Sequence, residues 1–328
     1  MKIPHLVPIL ACAALFHAAF AAPGATTPGE TSFLDEQSFV TGFMSRAEAL
    51  RKEGKLVPLA NLADKSASSE PIEFLPPLTE KAAPADLAER LRQSVFAMGL
   101  YYRCHNCSEW HFSVGTGFAT AKGGILSTCA HVIEFQPTEM REAFPIAIDS
   151  NGKVYPIVKI LAYDPVADTA LVKVDGANRP PLPVKGSARV GEPVYCLAHP
   201  NSHYFLFTTG VISRAVKVQA GDRTVRSYDV SCEYSPGSSG GAIVDACGNV
   251  VAQVNTIESQ FLEGGEEGQK NPPLATVFNL RTANAASEIL RLADPSCRLP
   301  MPPPPKPEPP APKEKPKKNP KAEGEKKS

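Results

Sequence analysis

The chain has 328 residues, 43% hydrophobic and 21% charged, an ordinary globular composition with enough apolar material for a sizeable core. Its 34 Lys+Arg and 34 Asp+Glu cancel, so no global charge favours nucleic acid as a partner, and beyond the N-terminal segment no apolar stretch is long enough to span a bilayer. The balance hides an asymmetry, because Arg298 to Ser328 carries nine Lys/Arg against four Asp/Glu and leaves the remainder net acidic.

Residues 1–21 predict an export signal. Lys2 supplies the positive start, Ile3 to Phe20 is mostly apolar, and Ala19-Phe20-Ala21 places small residues for cleavage before Ala22. A membrane anchor is the competing reading, but the run is short and holds His5 and His17. Export to the periplasm or outside the cell permits disulfides. The mature chain keeps Cys104, Cys107, Cys129, Cys196, Cys232, Cys247 and Cys297, an odd set that leaves at least one thiol unbridged within the chain.

Residues 22–84 predict a helical segment and linkers. Pro23 to Gly29 is a small-residue linker, and Phe33 to about Leu59 has helical spacing with Phe39, Phe43, Ala47 and Leu50 near one face. Lys65 to Pro84 reads as a second linker, and Ala85 to Arg92 as a short helix with Asp86 near its start. From Gln93 to about Leu292 short apolar runs are split by Gly, Pro, Asn and Asp. Val95–Met98, Ala170–Val174, Val194–Leu197, Ala242–Val244 and Val250–Val254 are examples. Many short strands with regular turns predict an all-β sandwich or barrel, or two packed barrels. A closing helix is expected over Thr282 to Leu292, so the globular domain spans 85–294. Residues 295–328 follow as a disordered tail with eleven prolines from Pro300 onward. A solvated tail is the simpler reading, and contact with an anionic surface is the alternative.

Pro236-Gly237-Ser238-Ser239-Gly240-Gly241 lies between two strand-like runs. A serine nucleophile needs a tight turn, and flanking glycines bring backbone N–H groups of Gly237 and Ser239 toward a developing oxyanion. The segment also fits Gly-x-Ser-x-Gly, the nucleophile elbow of α/β-hydrolases. That fold requires the catalytic histidine after the serine, and the last histidine here is His203. His131 ends the strand-like run Gly124–Ala130, and Asp168 stands just before Thr169–Val174, where a fixed carboxylate can hold an imidazole tautomer. Asp164-Pro165 is turn chemistry, so Asp168 is preferred over Asp164. The chain order is His131, Asp168, Ser239.

With these segments in place, Gly115-Thr116-Gly117-Phe118, Ser127-Thr128-Cys129-Ala130-His131-Val132, Asp168-Thr169-Ala170-Leu171-Val172 and Gly237–Gly241 resemble the motifs of trypsin-like serine peptidases, closest to the HtrA/Deg branch. Ala198–Asn201, Thr208–Ser213 and Gly248–Asn255 are similar to that branch too. The resemblance implies two six-stranded β-barrels with a cleft between them. It also implies hydrolysis of protein or peptide substrates through an acyl-enzyme, without metal or cofactor, and admits homo-oligomers. Where the branch usually carries a PDZ domain, a Pro/Lys tail is expected here instead. Ser238 replaces the Asp that pairs with a new N-terminus in digestive enzymes, so no such activation is expected. Glu233, six before the nucleophile, and Ala252 are the candidate specificity-pocket residues. The cost of burying an unpaired carboxylate favours a Glu233 turned to solvent.

Cys104-His105-Asn106-Cys107 has half the spacing of a zinc site, and His111 stands near it. In an exported chain a disulfide across a tight hairpin is the expected state. Two other functions remain open: a protease-fold binding module without activity, and a zinc protein centred on Cys104 and Cys107.

Overall fold

The short apolar runs from Val95 onward become thirteen strands among the described residues. This computed structural model describes residues 33–63, 68–105, 107, 109–261 and 276–303. The expected export signal lies outside the described residues, as does the tail beyond residue 303. Residues 295–303, expected as part of that tail, instead pack on the fold, because Arg298 donates to Leu292 O at 2.8 Å and Glu70 O at 2.7 Å, Leu299 bridges to Tyr163 and Met301 is buried. The chain divides into two units, Met1–Asp35 and Glu36–Ser328, and every element below belongs to the second.

The first sheet holds β1 (Val95–Cys104), β2 (Trp110–Phe112), β3 (Gly115–Ala121), β4 (Ile125–Thr128), β5 (Met140–Ile148), β6 (Val154–Asp164) and β7 (Thr169–Val174). Its order is β2-β1-β3-β4-β7-β6-β5, and β1 also pairs with β5, so six strands close on themselves and β2 continues from β1 as a short hairpin. Closure removes free edges. Phe96, Met98, Leu126, Ile133, Ile157, Ile160 and Val172 fill the interior.

The second barrel is β8 (Pro193–Ala198), β9 (Leu206–Ala220), β10 (Arg223–Val230), β11 (Ala242–Asp245), β12 (Val250–Phe261) and β13 (Thr276–Ala285), closed in the order β10-β13-β12-β11-β8-β9. Val194, Cys196, Ile212, Ile243, Val251 and Ala252 line its core. The two six-stranded barrels are those expected from the sequence.

The helices depart from expectation in detail. Helical spacing after Phe33 resolves into α1 (Glu36–Lys52) and a short α2 (Leu59–Ala63), and α3 (Pro84–Ser94) starts with a proline at its first turn. On α1, Phe39, Phe43 and Ala47 are buried, and Leu50 only half so. The Phe43 ring packs edge-on against Phe112 of the β2 hairpin, at 5.4 Å. The expected helix over Thr282–Leu292 is wrong in its first third. Thr282 to Ala285 completes β13 between β12 and β10, and only α4 (Ser287–Arg291) is helical. Pairing on both edges, reinforced by Thr282 Oγ1 donating to Asp229 Oδ1 at 2.8 Å, outweighs local helical preference.

The stretch expected as a linker up to Pro84 is strapped to the barrels where it is described. Ile72 is buried, Phe74 bridges to Ala121, and the Leu78 N–H donates to Asn249 Oδ1 at 2.6 Å.

Candidate active site

The cleft is fixed by side chains that cross from one barrel to the other. Ser127 Oγ on β4 donates to Gln253 Oε1 on β12 at 2.7 Å, and Cys129 Sγ donates to Val254 O at 3.1 Å. The Thr116 N–H donates to Ser239 O at 2.9 Å, and Thr116 Oγ1 donates to Gly237 O at 2.9 Å. Gln253 and Ser127 are fully buried, so each needs the other to satisfy its polar group.

His131 sits on a single 3-10 turn, Ala130–Ile133, directly after β4. Its Nδ1 lies 2.7 Å from Asp168 Oδ2, and its backbone N–H donates to Asp168 Oδ1 at 3.0 Å. One carboxylate therefore holds both the ring and the backbone of the same residue. The hydrogen bond that the ring donates to Asp168 raises the His131 pKa above its ordinary value, against the opposing effect of burial. Asp168 itself has φ +46°, a left-handed conformation that Asp tolerates better than most residues.

That conformation is secured by the neighbouring turn. Asp164 Oδ1 accepts from the N–H groups of Val166 and Ala167 at 3.1 and 3.2 Å, and its carboxylate pairs with Arg223 on β10 and Arg291 on α4. The Asn284 side chain donates to Ala167 O. Asp164, the competitor for the role of orienter, thus anchors the turn, while Asp168 reaches the imidazole.

Ser239 occupies a turn whose glycines have positive φ, +96° at Gly237 and +87° at Gly240. A Cβ at Gly237 would meet His199 O at 2.5 Å, and one at Gly240 would meet Thr116 O at 2.1 Å, so only glycine fits either place. Buried Ser238 tightens the turn: its N–H donates to Ser235 O at 3.0 Å, and its Oγ accepts from the Ser235 N–H. The preceding Pro236 O is held by the Asn201 N–H at 2.6 Å. The N–H groups of Gly237 and Ser239 have no protein acceptor among the described residues. Ser239 Oγ donates to Asn255 O at 3.4 Å, and Ser239, Gly237 and His131 line one cavity of about 240 Å³.

Asn255 is the residue that sequence reasoning missed. It lies at the end of the Gly248–Asn255 run, where its carbonyl meets Ser239 and its Nδ2 donates to Asp168 Oδ2 at 3.2 Å. Neither candidate pocket residue lines this cavity, and Glu233 turns to solvent, as the cost of burying its carboxylate leads one to expect. Glu233 is 71% exposed and pairs with Arg281, and Ala252 is fully buried in the second barrel. No disulfide forms among the described cysteines, so the bridge expected at Cys104 and Cys107 is not made. Cys107 Sγ instead lies 3.0 Å from His111 Nε2.

Residues 115–252, which hold His131, Asp168 and Ser239 on these turns, match the trypsin-like peptidase domain. That match spans 138 of the chain's 328 residues. Relatives agree with it. The serine protease HTRA1A of Danio rerio is 29% identical over 184 residues, covering 53% of this chain and 36% of that protein. A probable periplasmic serine endoprotease, DegP-like, of Pseudomonas putida is 29% identical over 155 residues, covering 46% of this chain and 31% of the relative. The chain therefore spans about a third of the length of these relatives. Among solved structures, the serine endoprotease from Yersinia pestis is 21% identical, covers 54% of this chain and 58% of that one, and has a TM-score of 0.42.

Proposed function

We propose that the chain is an exported serine endopeptidase acting on protein or peptide substrates, with its catalytic domain spanning residues 85–294. The observation that carries this reading is the 2.7 Å contact of His131 Nδ1 with Asp168 Oδ2 in the cavity that also holds Ser239. The sequence of residues 1–21 supports export.

In this reading the Asp168 carboxylate accepts a hydrogen bond from the Nδ1–H of His131, which leaves Nε2 free to take a proton. The Ser239 hydroxyl turns from the Asn255 carbonyl toward that nitrogen when substrate binds, since such contacts often tighten only in the substrate complex. Ser239 Oγ then attacks the scissile carbonyl and His131 takes its proton. The tetrahedral oxyanion accepts hydrogen bonds from the N–H groups of Gly237 and Ser239, and one such donor is worth about 2.7–4 kcal/mol of barrier. His131 returns its proton to the leaving amine, and water resolves the acyl-enzyme by the same steps in reverse. The Asn201 hydrogen bond to Pro236 O keeps that carbonyl out of the anion's place.

The test is turnover of a denatured protein substrate by the mature chain. Asp168→Asn should lower kcat about 10⁴-fold, because it stabilises the wrong imidazole tautomer. A folded wild type with no turnover would favour a binding module on the same barrels.

A further inference from the structure

The β1–β2 hairpin ends in a cluster of soft donors that the peptidase chemistry does not use. Register pairs Tyr102 with His111 and Arg103 with Trp110, so the strand return delivers His111 back to the Cys104–Cys107 turn. The ligand atoms of Cys104, Cys107 and His111 all lie within 4.8 Å of one another. We infer that this hairpin tip is a zinc site, bound by Cys104 Sγ, Cys107 Sγ and His111 Nε2.

The geometry is close to what the metal needs. Zn–S bonds of about 2.3 Å and Zn–N of about 2.0–2.1 Å at tetrahedral angles put two sulfurs about 3.8 Å apart and a sulfur about 3.6 Å from a nitrogen. Cys107 Sγ and His111 Nε2 stand at 3.0 Å, so an opening of about half an ångström admits the ion. Thiolate and imidazole donors suit zinc, whereas a hard oxygen-seeking cation finds no carboxylate in this set. A disulfide between Cys104 and Cys107 would give His111 no role, yet the strand pairing places its ring on the thiols.

The surrounding packing makes such a site rigid. Trp110 stacks on Tyr101 at 4.8 Å, Arg51 of α1 lies over the Trp110 ring, and Phe112 meets Phe43. Three protein donors leave a fourth position to water or another ligand. His105, within the same turn, has a buried Nε2 with no hydrogen-bond partner among the described residues, which makes it the side chain to test for that position. The chain after β2 carries Ser113, Val114 and Gly115 into the lining of the cavity beside His131, so the ion braces the strand return that precedes that wall.

The experiment uses the mature full-length chain, purified with its thiols reduced, loaded with zinc and then exchanged into metal-free buffer. Elemental analysis should find about one zinc per chain, and zinc loading should raise Tm, since a ligand that binds only the folded state stabilises it. Cys107→Ser and His111→Ala should each release most of the metal while circular dichroism keeps the wild-type β signal. Substitution by Co²⁺ should add a thiolate charge-transfer band that Cys107→Ser removes. A Cys104–Cys107 disulfide in protein prepared with reductant, or zinc retained equally by both variants, would overturn the site. Neither readout depends on peptidase activity.

Discussion

Replacing Phe43 with alanine tests whether α1 belongs to the same cooperative unit as the barrels. The ring is 1% exposed and meets Phe39 and Phe112 at 5.4 Å and Tyr204 at 6.0 Å. Truncating a buried phenylalanine costs about 3–5 kcal/mol, and three aromatic neighbours place this one in the upper half of that range. For a domain of this size that corresponds to a Tm lowered by roughly 8–20 °C. Urea unfolding followed by far-UV circular dichroism should show the loss as a lower midpoint with an unchanged slope. Function should suffer too. Tyr204 and Phe205 hold the loop whose Asn201 N–H binds Pro236 O, and Glu36 of α1 accepts from the Tyr204 N–H at 3.0 Å. Acylation of Ser239 should therefore slow at temperatures where the variant is still folded. A stability change under about 1 kcal/mol would refute the reasoning, because it would mean that α1 detaches without disturbing the barrels.

The remaining predictions concern the residues around the cavity and the buried His199. Activity should rise with pH as His131 loses its proton, with an inflection above the usual histidine value, because Asp168 stabilises the charged ring. In Asp168→Asn the inflection of the residual activity should fall, and an unmoved inflection would assign the titration to another group. Asn255→Leu removes one hydrogen bond to the Asp168 carboxylate and should cost about 1.5–3 kcal/mol in kcat/KM, with the His131 inflection shifted; a change in stability alone would make Asn255 merely structural. Burial lowers the His199 pKa to about 3. Because the folded value is depressed, protonation favours the unfolded chain below pH ~6.5, and stability should fall by about 1.4 kcal/mol per pH unit on acidification from that ring alone. His199→Gln should flatten the slope between pH 6 and 4 by that amount in urea titrations; equal slopes would contradict a neutral buried ring.

Much of this was legible in the sequence, and the exceptions share one cause. The barrels were readable because short apolar runs bounded by turn residues report a strand locally. His131, Asp168 and Ser239 were readable because each stands at a strand end or on a glycine turn. Asn255 carries no such mark, since its importance comes from β12 lying across the cleft from Asp168. Gln253 reads as an interruption of an apolar strand, and only the facing Ser127 explains it. The Thr282–Ala285 segment was misread because its pairing partners are β12 and β10, with β10 more than fifty residues upstream. Glu233 was readable as solvent-facing from the cost of burying an unpaired carboxylate, whereas its partner Arg281, on β13, shows only in the fold. The cysteine turn was legible as half a metal site with His111 nearby, and the register of β1 with β2 shows how His111 returns to it.

In the proposed reaction Ser239 is a nucleophile activated by His131. The most direct measurement is covalent labelling of the folded chain with a fluorophosphonate probe, followed by peptide mass mapping. The account predicts one adduct on Ser239, absent in Ser239→Ala and strongly slowed in His131→Ala. Folded wild-type protein that takes no label, or a label on any other residue, would contradict it.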